Sequence, residues 1–568
     1  MQPGNENWHS AVQAPLEVAH AEAVAWDVET DFLIVGFGGA GATAAVEARE
    51  QGLDVVAIDQ AEGGGATLAS GGVFYAGGGT AVQRQCGEQD SPENMQAYLE
   101  LETQGVVSDA TLERFCRGSA ADLDWLMRQG VKFGGPVWKS KTSYPNVKYF
   151  LYHPDNTLLP AAAAVAKPAA RGHRGVARKG NSAVDLGGAI YSPLKRSALQ
   201  AGAVLECKTE ARQLIVDRSG AVIGVRALQL PARTAAYAEH SKRLARGHRL
   251  TQFYPFFLPG ARAVHAMANK HFAKALAIEN AERQWRTYRA RRGVCLCAGG
   301  FIFNRPMVTA HCPSFRAGVP LGTMGDDGSG IRLGQSAGGA VDRMDRATAW
   351  RFINPPAAWA KGLIVDGRGR RFVNECAYGA TIGDAMVTEA GGKAWLILTS
   401  ELVRESWRQI APGKVLPFQQ QLAALNLLFA KRKANSVVAL CRKFGFDEAI
   451  LSDTLAKAAR AARGEIEDPF GKPLEDRCEL RPPFHVIDVS LDAKLLPCTV
   501  LTVGGLVVNE ATGQVRGEDG QEISGLYAAG RTAVGIPSHL YVSGLSIADC
   551  VFSGRRAARH AAGADQIS

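Results

Sequence analysis

Gly36-Phe37-Gly38-Gly39-Ala40-Gly41 is a run of residue types suited to one task, bringing a backbone close to a pyrophosphate. Glycines permit the tight turn and the close approach. A helix opening directly after them offers N–H donors and a positive dipole end to the phosphates. Asp59 follows at about twenty residues, the distance at which an acid hydrogen-bonds a ribose hydroxyl. The next stretch, AEGGGATLASGGVFYAGGGTAVQ, carries Gly63, Gly64, Gly65, Gly71, Gly72, Gly77, Gly78 and Gly79. A flexible linker would be polar and featureless, whereas this one holds Thr67, Ser70, Phe74 and Tyr75. Its composition predicts a backbone wrapped closely around a large flat cofactor, with Thr67, Ser70, Gly71, Gly72, Gly77, Gly78 and Gly79 against it.

The elements that must position these residues are legible beside them. DFLIV, from Asp31, is a short β-branched and apolar run, a buried-strand signal. An Ala-rich helical pattern follows the glycines, and DVVAID, ending at Asp59, reads as a second strand. Strand, glycine turn, helix and terminal acid in register predict a Rossmann-like fold in an α/β protein. No second strand–GxGxxG–helix unit follows, which argues against a separate nicotinamide-binding domain.

Composition narrows the class. The 568 residues are 46% hydrophobic and 21% charged, which excludes extensive disorder. No stretch approaches eighteen uninterrupted apolar residues, so no transmembrane helix is expected. The first thirty residues carry Glu6, Glu17, Glu22, Asp27 and Glu29 without a basic start and apolar core, unlike a secretory signal. Eleven cysteines show no CxxC and no metal spacing, so no metal site is expected. Cys295 and Cys297, in VCLCAGG, read as buried thiols on one face of a strand. An odd cysteine count without a framework fits a reducing, cytoplasmic setting.

Further motifs carry a resemblance. The GxGxxG, ASGG and AGGGT segments stand with CLCAGGF (295–301), GDDGSGIRLGQSAGG (325–339), GRRFVNE (369–375), DPFGKP (468–473), PPFHVI (482–487), LTVGGLVVN (501–509) and GLYAAG near the C-terminus. Together they resemble the FAD-dependent fumarate reductase/3-ketosteroid dehydrogenase superfamily over most of residues 30–565. The resemblance implies FAD and a discontinuous FAD-binding domain with an inserted α+β catalytic, or capping, domain. Residues 30–230, 293–339 and 491–568 would form the first domain and 340–490 the second. Residues 1–29 would be an N-terminal extension and 231–292 a basic insertion. Within 340–490, residues 422–445 and 449–464 carry helical apolar spacing. It also implies cofactor contacts at Gln60, Ala211, Ala298, Gly299, Asp327, Gly530, Arg531, Ser543, Leu545 and Ser546.

The superfamily's branches differ at the reacting centre. Where fumarate reductases have the His of HTxGG, this chain has Leu501, and where they have the Arg of RLGGNAIxD it has Tyr541. Both groups that would bind a dicarboxylate are absent. Tyr541-Val542-Ser543-Gly544 lacks the proline of the Δ1-dehydrogenase pattern YPxxG and is similar instead to the 3-ketosteroid Δ4-(5α)-dehydrogenase subgroup. That subgroup also has a Tyr shortly after RFxNE, which is Tyr378 in this sequence. The resemblance implies dehydrogenation of a 3-ketosteroid: a proton lost from carbon 4 and a hydride passed from carbon 5 to flavin N5. Tyr541 would be the base, assisted by Ser543, with Tyr378 sharing the relay or contacting the ketone. Backbone N–H groups around 543–545 would polarise the ketone oxygen. Tyr144, Tyr149 and Tyr152 would line the pocket or simply pack, as would Trp125 and Trp138. A Δ1-desaturase, another flavin-dependent ene-reductase and a noncatalytic flavin or sterol binder are the alternatives. A quinone or other external carrier is expected to take the electrons.

The basic segment stands apart. Between Arg233 and Arg292 thirteen Lys and Arg face three acids, enough to account for the whole net charge of +9. It lies between two strand-like runs that would pair with each other, so it is expected to loop out. Phe253, Tyr254, Phe256, Phe257 and Leu258 form an apolar block inside it. A solvated charge run is the plain reading, and peripheral contact with an anionic membrane surface is the sharper one. Nucleic acid is not expected, since no binding module is present.

Overall fold

The computed structural model describes residues 11–146, 148–176, 186–253 and 260–563. Strand Val28–Val35 is almost wholly buried in its second half and runs into helix Gly39–Glu50, which leads to strand Val55–Asp59. Gly36 sits at φ 94°, and a Cβ there would lie 2.7 Å from the Cys297 carbonyl oxygen. A Cβ on Gly41 would lie 2.0 Å from the Gly36 oxygen. The first and last glycines of the fingerprint are thus demanded by strand–helix packing, as the motif predicts.

The strands belong to a nine-stranded sheet. Val204–Cys207, Val55–Asp59, Val28–Val35, Gln284–Leu296 and Glu522–Ala528 are paired in parallel. Gln284–Leu296 is the seam. Its first half pairs antiparallel with Val222–Gln229, and its last residues pair with Glu522–Ala528. Residues 284–292, the end of the basic segment, are therefore sheet rather than insertion. What loops out is a pair of helices, Ala235–Phe253 and Ala261–Glu282.

The second layer over the fingerprint helix is helix Leu545–Ala561. Gly554 allows the approach, since a Cβ there would lie 2.7 Å from the Ala40 oxygen. Arg555 and Arg559 of that helix reach the buried Glu47 at 2.7 and 2.6 Å.

The segment 340–490, expected to form the cap, holds a four-stranded antiparallel sheet of Leu363–Val365, Trp395–Thr399, Phe484–Asp488 and Arg432–Ala434. The helical pattern over 422–445 is interrupted there. Helix Pro417–Leu425 passes through a wide turn into strand Arg432–Ala434, and Ser436 then caps helix Val437–Phe444. Tertiary pairing with Phe484–Asp488 outweighs local helix preference. The pattern over 449–464 does fold as helix Glu448–Ala462.

Candidate active site

Two buried devices aim the tyrosines. In the cap, the Arg371 guanidinium grips Glu375 through Nε and Nη2 at 2.9 and 2.8 Å, and Asp468 through Nη1 at 2.6 Å. Lys472 Nζ adds a contact to Glu375 at 3.1 Å. The RFVNE and DPFGKP motifs are thus one ion cluster. Burial works against the Glu375 carboxylate, yet Lys472 and Arg371 hold it below the usual range. The turn that follows delivers Tyr378 to the N-terminus of helix Gly379–Thr388. From the other side, Gly544 at φ 89° starts helix Leu545–Ala561, and its carbonyl accepts the Tyr75 N–H at 3.2 Å. This fixes the YVSG turn against the glycine-rich segment.

The two devices meet in an aromatic box. Tyr541 lies 4.9 Å from Trp350, and Phe352 lies 5.7 Å from Trp350 and 5.8 Å from Tyr378. Tyr541 and Tyr378 are both buried. Two donors inside the box, the Tyr378 hydroxyl and the Trp350 indole N–H, are buried with no hydrogen-bond partner of ordinary geometry among the described residues. Two such donors facing one aromatic box suit a polar ligand atom.

Ser543 and Tyr541 diverge, contrary to the expectation that Ser543 assists Tyr541 directly. Ser543 Oγ accepts the Tyr152 hydroxyl at 3.2 Å and also favours the anion of Tyr378. Burial drives both of those phenols well above their ordinary range. Tyr541 turns instead to the helix start. Burial pushes it up to about 12, while Arg531 and the N–H and hydroxyl of Ser546 work the other way. Tyr152 is the residue whose part in the site the pattern left undecided. Its signal was the cluster SYPNVKYFLYHP, in which Tyr144 turns out to donate to the Gly71 carbonyl at 2.6 Å. Tyr149 packs on Trp138 at 4.8 Å, and Trp125 is core, its indole donating to Glu50.

The residues expected to hold a dinucleotide divide into those gathered around the fingerprint and those turned away. Asp59 accepts the Phe37 N–H at 2.8 Å, and its second oxygen accepts that of Ala61 at 2.8 Å. Thr67 Oγ1 accepts the Gly39 N–H at 3.1 Å, and Ser70 Oγ donates to the Thr67 carbonyl and accepts from Gly72. Ala298 and Gly299 pack against Gly36 and Thr532, and Gly530 lies over Ala40. Gln60 reaches the Gly325 carbonyl at 3.5 Å. Lys208 donates its N–H to Ala61, which brings the strand of Ala211 beside this loop. Leu545 is buried at the helix start beside Ser546. The N–H groups of Gly77, Gly78 and Gly79 go instead to Ser119, Asp90 and Gln83. The N–H groups of those three glycines are thus all taken within the protein. Asp327 accepts the Ser329 N–H at 2.9 Å, while it is the neighbouring Asp326 that pairs with Arg531 at 2.6 Å.

The site's own geometry fits a pyrophosphate-bearing flavin. A Cβ at Gly38 would meet only the Gly64 oxygen, at 3.7 Å, so space is left where a phosphate approaches. Arg531 Nη1 is buried without a partner among the described residues. No group of three or more His, Cys, Asp or Glu among the described residues is placed to hold a metal.

Comparison with known proteins agrees. The FAD binding domain family model matches residues 31–544, and the chain belongs to that family of flavin-dependent oxidoreductases, with FAD as its cofactor. The chain is 38% identical over 525 residues to a 3-oxo-5-alpha-steroid 4-dehydrogenase of Comamonas testosteroni, covering 91% of this chain and 95% of that protein. The crystal structure of 3-ketosteroid-delta4-(5alpha)-dehydrogenase from Rhodococcus jostii RHA1, in complex with 4-androstene-3,17-dione, superposes with a TM-score of 0.79 at 26% identity. It covers 97% of this chain and 100% of that one. A 3-ketosteroid delta1-dehydrogenase from Sterolibacterium denitrificans shares the fold, with a TM-score of 0.65 at 18% identity, over 94% of this chain and 99% of that one.

Proposed function

We propose that the protein introduces the Δ4 double bond into a 3-ketosteroid. The observation that carries this is the aromatic box with its unpaired Tyr378 hydroxyl and its turned-in Tyr541. Flat rings suit a flat apolar substrate, and the polar atoms inside suit one ketone and one labile hydrogen. The similarity to the Comamonas and Rhodococcus enzymes supports the same bond.

The proton route separates Tyr541 from Ser543. The N–H and hydroxyl of Ser546 favour the Tyr541 oxygen, and its own O–H donates to the ketone. Together with the positive end of helix Leu545–Ala561, it forms a donor pair for charge developing on that oxygen. Polarising the ketone acidifies the hydrogens at carbon 4. Ser543 is bonded to the Tyr152 hydroxyl and favours the Tyr378 anion; it takes the carbon 4 proton while the relay releases one proton to solvent at its far end. This assigns the base to the Ser543 relay rather than to Tyr541. When bound, FAD would supply the acceptor for the carbon 5 hydride, with a quinone or other external carrier as the expected electron acceptor. Anaerobic addition of a 5α-3-ketosteroid is expected to bleach the flavin and yield the conjugated 4-en-3-one. Bleaching by the Δ4-3-ketosteroid instead would mean Δ1 chemistry.

The helical pair Ala235–Phe253 and Ala261–Glu282 supports peripheral membrane contact. It is cationic, and Met267 and Leu276 are more than half exposed on it. Most of the aromatic block, 254–259, lies outside the described residues. No helix among the described residues is long and apolar enough to cross a membrane. A cationic surface with apolar side chains among the charges suits the interface of an anionic bilayer, where a steroid also resides.

A further inference from the structure

A set of polar groups behind the phenols takes no part in the steps above. Glu102, on helix Pro92–Thr103, is buried. Its Oε1 accepts Asn156 Nδ2 at 3.2 Å and the Tyr98 hydroxyl. Tyr98 in turn accepts the Asn156 backbone N–H at 2.8 Å. Asn156 Oδ1 accepts the backbone N–H of Tyr378 at 2.6 Å, and Nδ2 also reaches Thr381 Oγ1 at 2.9 Å. The Glu102 carbonyl accepts the N–H of Leu540 at 3.2 Å, one residue before Tyr541. One glutamate–asparagine pair thereby touches both tyrosine-bearing segments, one from the cap and one from the FAD-binding domain.

We propose that Glu102 and Asn156 are positioning residues, a latch that holds Tyr378 and Tyr541 in register across the domain boundary. This rests on the roles proposed above for the two tyrosines. A relay of hydroxyls tolerates little misalignment, since a shift of about 1 Å costs on the order of 10²-fold in rate. A backbone N–H bonded at 2.6 Å leaves Tyr378 little room to move. The Glu102 carboxyl is pushed up to about 7 by burial, against the Tyr98 bond, with Asp155 raising it further and Lys141 opposing. Those groups, with Asn156, are the ones facing it from its own helix and the neighbouring loops. As an anion it only accepts, which suits the two donors converging on Oε1. The latch is therefore tighter above pH ~7 than below it.

The test compares Asn156→Leu, Asn156→Asp and the exchange pair Glu102→Gln/Asn156→Asp in the full-length flavoprotein. Amide hydrogen exchange needs no turnover. In Asn156→Leu the peptides carrying Tyr378 and Tyr541 are both expected to exchange at least tenfold faster, with flavin retained. In steroid turnover, Asn156→Leu is expected to lose about 10²-fold in kcat with KM within threefold. Asn156→Asp sets two carboxylates face to face and loses activity as pH rises through ~7. The exchange pair restores donor against acceptor and regains at least tenfold over Asn156→Asp alone. Unchanged exchange at Tyr378 and Tyr541 overturns the latch, and so does an exchange pair no better than Asn156→Asp. If Asn156→Leu does not fold, the exchange pair decides. A wild-type protein that no 3-ketosteroid bleaches refutes the substrate reading alone, since hydrogen exchange still judges the latch.

Discussion

Tyr541 and Ser543 are two residues apart in the chain and face different partners, which separates their roles experimentally. Tyr541→Phe removes the donor to the ketone. It is expected to weaken binding of the 4-en-3-one product about tenfold and to lower kcat by ~10²–10³-fold. Ser543→Ala removes the hydroxyl bonded to Tyr152 and with it the first proton acceptor of the relay. It is expected to lower kcat by ~10²-fold while product affinity, read from the perturbed flavin spectrum, stays within twofold. The opposite pattern would return the base to Tyr541. Tyr152→Phe is expected to follow Ser543→Ala at about a tenth of the effect, because it removes the far end of the same relay. These residues also mark where the sequence is most and least informative. Tyr541 and Tyr378 are legible because each follows a motif. The Ser543–Tyr152 bond joins residues 391 positions apart, and no local spacing encodes that.

At the scale of elements, the buried cluster of Arg371, Glu375, Asp468 and Lys472 locks the turn before Tyr378. Glu375 and Asp468 both have carboxyls held below their ordinary range, despite burial, by Arg371 and, for Glu375, Lys472. A depressed folded-state value adds stability above the unfolded value and loses it as pH falls through the folded one. The cap is therefore expected to melt at falling temperature as pH drops below about 4. Glu375→Gln is expected to flatten that dependence and to lower stability at pH 7 by about 3 kcal/mol or more. Differential scanning calorimetry between pH 3 and 8 measures both, and an unchanged acid limb would remove the cluster from the account. The fingerprint elements were legible because strand, glycine turn and helix are contiguous. The break at Asn426–Ala434 was not, since it arises from pairing with Phe484–Asp488, some fifty residues on. The Gly77–Gly79 run is legible only in part, for a related reason. A need for glycine shows in sequence, but not whether a ligand or Asp90 makes it.

On the scale of the whole molecule, the cationic helical pair leads directly into the seam strand Gln284–Leu296. His240–Glu279 at 2.6 Å ties the two helices to each other, and Arg283–Glu210 at 2.7 Å ties the end of the second to the sheet. Deleting residues 250–262 is expected to leave flavin content and kcat on soluble steroid unchanged and to lower flotation with vesicles of anionic lipid. Wild-type flotation should fall as salt is raised from 0.05 to 0.5 M, with the Debye length shrinking from about 14 to 4 Å. Equal flotation of the two proteins would refute membrane contact. The helix Leu545–Ala561 has a consequence of another kind. It packs on the fingerprint helix through Gly554, and strand Glu522–Ala528 completes the pairing of Gln284–Leu296. Both are made some five hundred residues after Gly36. A ribosome adding roughly 5–20 residues per second needs about 25–100 s to cover that interval. Throughout it the fingerprint has emerged but its roof has not. Flavin is thus expected to load only once helix Leu545–Ala561 is made, and a nascent chain stalled at residue 540 should carry the fingerprint and hold no flavin.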